Sequence, residues 1–174
     1  MRLMVLLLIG GLLGCQSNPK RTLCETADWY ELGRRAGAAG QASQVEKERN
    51  RCDGHFEASQ ESIYTNGHNN GLAEYCTSDN GYALGKAGSA VNKVCPRPID
   101  EGFLNGYARG KKVRELESMN ENLNRKISSV SQKLKIAKNK TNQDQNQLLS
   151  ELSVLEQERL ANQRRMIQIE KQIN

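Results

Sequence analysis

Tyr64-Thr65-Asn66-Gly67-His68-Asn69-Asn70-Gly71 sets an aromatic residue three positions before a glycine and a second glycine four positions further on. The unit also stands at Tyr30, Gly33 and Gly37, and at Phe103, Gly106 and Gly110. A copy one residue shorter reads Tyr82, Gly85 and Gly88. On a helix, positions three and four apart share a face, so the ring and both glycines line up. Glycine costs about 1 kcal/mol relative to alanine in a helix interior, so two in each short helix need a compensating gain. Close approach supplies it: without Cβ atoms, a neighbouring helix or ring lies directly against the backbone. The spacing resembles the membrane dimerisation motif, but these segments are too polar to span a bilayer. Asp28, before Trp29 and Tyr30, is a competent N-cap, which favours helices over glycine turns between strands. The repeat therefore predicts four short helices packed glycine face to aromatic, a packing device rather than a ligand site.

Composition changes sharply near residue 110. Beyond Gly110 there is no glycine, aromatic, cysteine or proline. Apolar residues then recur at heptad spacing: Val113, Leu116, Leu123, Ile127, Val130, Leu134 and Ala137, with Asn120 in one seam position. A second run reads Leu148, Leu152, Leu155, Met166, Ile169 and Ile173, with Arg159 and Asn162 in seam positions. Between them, 138–144 holds no apolar residue, and Thr141 and Asp144 have the spacing of a capping box. Folding the chain about Thr141 sets Leu134 on Leu148, Val130 on Leu152, Ile127 on Leu155, Leu116 on Met166 and Val113 on Ile169. Asn120 meets Asn162, a register device because slippage leaves a buried amide unpaired. Leu123 faces Arg159, whose stem packs while its head reaches water. One uninterrupted coil would instead put Glu151, Glu158 and Arg165 in the seam, at high desolvation cost. An antiparallel hairpin is the expectation, although a domain-swapped antiparallel dimer would use the same contacts.

Met1-Arg2, an apolar run from Leu3 to Leu13, and Gly14-Cys15 compose a lipoprotein signal, too short to span a bilayer. Cys15 is the expected acylated first residue after cleavage, with palmitate among its chains. Gln16 follows it rather than Asp, which points to the outer membrane, facing the periplasm. Four cysteines remain, Cys24, Cys52, Cys76 and Cys95, and an even count in an exported chain reads as two disulfides. Three connectivities exist and the sequence does not choose among them. Cys24 with Cys52 and Cys76 with Cys95 would close short loops, each contributing roughly 3 kcal/mol through the unfolded state. No Cys-x-x-Cys occurs and the spacings match no zinc module, so no metal and no cofactor are expected.

The net charge of +5 arises where Lys and Arg alternate with Glu, the pattern of a solvated coil face. An envelope location makes nucleic acid an improbable partner. The two histidines, His55 and His68, lack a nucleophile or carboxylate partner. Ser78-Asp79-Asn80 copies one penicillin-recognising triplet, but no Lys-Thr-Gly follows. His55-Phe56-Glu57 opens like a deaminase zinc motif, yet lacks its Pro-Cys-x-x-Cys. Glu74 and Asp79 flank Tyr75-Cys76 as surface carboxylates. No phosphate loop or dinucleotide fingerprint occurs. No enzyme is expected.

Asp28-Trp29 with Gly33 and Gly37, Cys52, Tyr64 with Gly67, Gly71 and Leu72, then Tyr75-Cys76-Thr77, Gly81-Tyr82, Gly85, Gly88 and Val94-Cys95-Pro96 resemble domain-of-unknown-function family 2799, bacterial envelope lipoproteins rich in Cys and Gly. The resemblance covers roughly Cys24 to Gly110. It implies an exported, lipid-anchored protein and no particular activity.

The expected organisation is a signal peptide (1–14), a polar tether (15–23), an all-α Cys/Gly-repeat domain (24–110) and a coiled-coil hairpin (111–174). The expected role is non-enzymatic: a membrane-tethered adaptor or structural protein whose hairpin meets another envelope protein or the cell wall. Two other readings stand beside it. One is a glycan or small-molecule module using Trp29, Tyr64, Tyr75 and Tyr82. The other is an inhibitor of a secreted hydrolase.

Overall fold

A computed structural model describes residues 24–52, 54–137 and 141–172. The expected signal peptide, Cys15 and the polar tether lie outside the described residues. Among the described residues, a helical turn at 24–26 precedes α1 Trp29–Ala38, α2 Val45–Cys52, α3 Ala58–Tyr75, α4 Ser78–Ala87, α5 Asp100–Ile136 and α6 Asn142–Lys171. No strand occurs among the described residues.

Local signals start and stop these helices. The Asp28 carboxylate accepts from the Glu31 N–H at 2.9 Å and opens α1. The Glu57 N–H donates to the Gln60 side chain at 2.9 Å at the start of α3. Thr77 opens α4 by accepting from the Asn80 N–H at 3.2 Å. Thr141 opens α6, its hydroxyl accepting from the Asp144 N–H at 3.4 Å and donating to the Asp144 carboxylate at 2.9 Å. Such caps satisfy N–H groups that the helix leaves without partners.

The head is two glycine-notched helix pairs. In the first, α1 packs on α3; in the second, α4 packs on the start of α5. A Cβ built on Gly33 would lie 2.9 Å from the His68 nitrogen, and one on Gly37 2.7 Å from that of Leu72. The contacts advance in the same direction along both helices, so the pair runs parallel. The second pair repeats this: a Cβ on Gly85 would meet the Lys111 nitrogen at 2.9 Å, and one on Gly110 the Lys86 nitrogen at 2.7 Å. The glycine faces pack on helix backbone rather than on aromatic rings.

The repeat frame needs correction in its third copy. Gly81 and Gly85, four residues apart like the other pairs, occupy the groove of α4. Gly88 instead ends α4 in the left-handed conformation, φ 72°, the usual glycine C-cap. Ser78, not Tyr82, therefore holds the position of Tyr30, Tyr64 and Phe103. The rings also divide. Tyr64 and Phe103 are buried, whereas Tyr30 stands at the surface, its hydroxyl accepting from the Asn70 amide at 3.0 Å. The copy at Phe103 is no separate short helix: α5 continues through Gly110 for 37 residues in all.

Each pair carries one disulfide just before its helices. Cys24 bonds Cys52 and Cys76 bonds Cys95. Cys24 and Cys52 are fully buried against Trp29 and Tyr64, with Phe56 packed on them. The Trp29 indole donates to the Cys24 carbonyl at 3.1 Å, and Gln60 donates to the same oxygen at 2.9 Å. The pairs meet where Tyr75 packs on Phe103, ring centroids 5.2 Å apart, and where Asn92 donates to the Gly40 carbonyl at 2.9 Å.

Candidate functional site: the helical hairpin

The hairpin is the lower half of α5 with α6 folded back on it. Its seam is the one the heptads predict. Val113, Leu116, Asn120, Leu123 and Val130 are buried on α5, and Ala137 is buried at its C-cap. On α6 every seam residue from Leu148 to Ile169 is shielded, while most intervening positions are exposed. Cross-hairpin bonds fix the register: the Gln145 amide donates to the Ala137 carbonyl at 2.9 Å, and Arg159 donates to the Asn124 side chain at 3.4 Å. That register sets Asn120 and Asn162 in one layer. They are 8% and 2% exposed. Asn120 Oδ1 and Asn162 Nδ2, an acceptor and a donor, have no hydrogen-bond partner among the described residues.

The returning end of α6 docks on the head. Lys86 of α4 reaches Glu117 at 3.4 Å and Glu170 at 3.5 Å. The Tyr82 hydroxyl also lies 3.4 Å from Glu170. Arg109 donates to the Gln172 carbonyl at 3.1 Å and to the Ser78 hydroxyl at 2.7 Å. Partial burial opposes the charge on Lys86, but Tyr82, Glu117 and Glu170 outweigh it and raise its pKa. In the first pair, Arg34 ties α1 to α3, bonding Glu31 at 2.8 Å and Glu74 at 3.1 Å. The hydrogen bond from Arg34 holds the Glu31 carboxyl below its ordinary value.

Outside the seam, α6 carries a second apolar row. Leu149, Leu160 and Ile167 are 53%, 45% and 51% exposed. They are spaced by eleven and seven residues, close to three and two helical turns, so they lie along one side of the helix. Their spacing was legible in the sequence, but the stronger seam periodicity masks it. Gln163 sits between Leu160 and Ile167 on the same side.

The head offers less to a ligand than its aromatic content suggests. Trp29 and Tyr64 are core residues, 4% and 1% exposed. His68 is also buried, its Nε2 bonded to the Gln41 carbonyl at 2.9 Å. Among the described residues, no group of three His, Cys, Asp or Glu side chains is placed to hold a metal ion. None of the described helices is long and apolar enough to cross a membrane.

With the paired glycine grooves and two disulfides in view, the motifs acquire a family. Residues 28–112 match the family described as Protein of unknown function (DUF2799). This segment is a DUF2799 domain. Its bounds enclose both notched helix pairs, so the DUF2799 domain here is the double pair, with the hairpin growing out of its last helix. No curated protein and no solved structure matches the chain.

Proposed function

We propose that this chain is a non-enzymatic, lipid-anchored envelope protein whose hairpin docks a helix of another envelope protein. Cys15 is the anchor in this reading, and the outer membrane, facing the periplasm, is the location. The row Leu149, Leu160 and Ile167 carries the proposal. Three large apolar side chains, each about half exposed on one side of a polar helix, present an aligned apolar surface, and surface of this kind marks interaction sites. An apolar-faced partner helix would lie along α6 by the same physics that closes the seam. The hairpin reaches roughly 40 Å from the head at 1.5 Å per residue, the build of a spacer or adaptor.

A photocrosslinker at Gln163 tests the docking. Capture of a defined envelope protein in living cells is expected, and loss of that adduct in Leu160→Asp. No adduct at Gln163 or at the distal Lys133 would sink the adaptor reading; recovery of murein fragments alone would redirect it to the cell wall. The anchor has its own test: Cys15→Ala should abolish acyl labelling, and persistent labelling would exclude Cys15.

A further inference from the structure

The connection between α4 and α5 covers a cleft of about 380 Å³. Phe103 forms its floor and is 1% exposed, whereas Leu104 stands at its rim, 50% exposed. Val91 and the Cys95 end of the second disulfide complete largely apolar walls. The polar groups around it are mostly engaged within the fold. The Tyr107 hydroxyl donates to the Ser89 carbonyl at 2.9 Å. The Asn92 amide donates to Gly40. The Asp100 carboxylate faces Arg97 at 3.9 Å. Lys93 is the exception: it lines the cleft and has no ion-pair or hydrogen-bond partner among the described residues.

We propose that this cleft binds a single-chain amphiphilic anion, its apolar chain against Val91, Phe103 and Leu104 and its headgroup at the Lys93 ammonium. The size lies at the lower end of ligand cavities, which suits one medium-length acyl chain and excludes a two-chain lipid. A neutral apolar ligand would gain nothing from the unpartnered Lys93 ammonium, whereas an anionic headgroup would. Asp100, the one carboxylate among the described residues lining the cleft, lies 3.9 Å from Arg97 and makes no ion pair with Lys93. Filling the cleft also removes Leu104 from water, adding roughly 25 cal/mol for each Å² of apolar surface covered.

Decanoate, below its micelle concentration, is a suitable probe. Calorimetry would use the purified chain carrying Cys15→Ala with residues 1–14 replaced by a cleavable secretion signal, so that the disulfides form and neither acyl chain nor apolar leader remains. Saturable one-to-one binding is expected, with decanol weaker. Lys93→Gln should weaken decanoate about fivefold, the scale of one exposed charge contact, and leave decanol unchanged. Leu104→Ser should weaken both. Both substitutions are at the surface, and unchanged circular dichroism will show that the fold persists. Methyl resonances of Val91 and Leu104 should shift together on titration. Absence of saturable binding, equal affinity for decanol, indifference to Lys93→Gln, or shifts confined to other methyls would each overturn the proposal.

Discussion

A methyl group added to Gly67 would run into the Tyr30 carbonyl, since the built Cβ meets that residue's backbone at 2.8 Å and its oxygen nearer still. Real Cβ atoms essentially never come this close, and neither side is a flexible side chain that could move aside. Gly67→Ala must therefore push α1 away from α3. Because Gly33, Gly37 and Gly71 meet backbone in the same way, the whole pair opens. A loss of about 2–3 kcal/mol is expected, at the upper end for overpacking, measured by urea unfolding.

Gly102 provides the control. It lies in the first turn of α5 and an added Cβ meets nothing within 4 Å. Gly102→Ala should stabilise the protein by up to about 1 kcal/mol through helix propensity alone. Gly106→Ala, four residues away but pressed on Ser78 backbone, should destabilise it. Opposite signs at two glycines of one helix would identify the groove as the cause; equal signs would refute it.

The amide layer of the hairpin makes a double-mutant cycle informative. Asn162→Leu removes an amide whose Nδ2 is already buried without a partner, so it should stabilise the hairpin by roughly 1 kcal/mol. Adding Asn120→Leu should stabilise it further, because it removes the second unpartnered buried group and lets two apolar side chains meet in that layer. The register itself is checked by Ile127→Cys with Leu155→Cys, which should oxidise within one chain. A crosslinked dimer at high dilution would instead report domain swapping.

The disulfides differ in accessibility. Cys24–Cys52 is fully buried, whereas Cys95 lies in the wall of an open cleft. Limited treatment with a small thiol should release Cys76 and Cys95 first, read by mass spectrometry after alkylation. Loop separations of 28 and 19 residues give each bond about 3–4 kcal/mol in the chain-entropy picture.

Glu31 supplies a pH dependence. Its folded pKa lies below the ordinary value of 4.5, chiefly through the Arg34 hydrogen bond. A lowered carboxylate pKa contributes stability above the unfolded value, which fades as pH falls through the folded value. Glu31→Gln should thus be less stable than the native chain near neutrality. The difference should shrink below pH 4.5, which urea titrations at several pH values would follow. The group is exposed, so the effect is expected to be small.

The sequence alone determined the helical class, the hairpin and its register. A heptad seam is a one-dimensional pattern: apolar spacing states which face is buried, and the stretch without apolar residues around Thr141 states where the chain turns. Asn120 opposite Asn162 followed from counting residues about that turn. The Asp28 and Thr141 caps were equally local. The partnering of the glycine helices was decided only in three dimensions. Gly33 and Gly37 name a notched face but not its partner, because glycine carries no side chain to encode one. That α1 meets α3 and α4 meets α5, each parallel and sharing a disulfide, depends on contacts between residues far apart in the chain. The frame of the third copy was hidden for the same reason. Gly81, Gly85 and Gly88 are alike in sequence, and only backbone approach from α5 on one side, and a positive φ on the other, separates groove from cap.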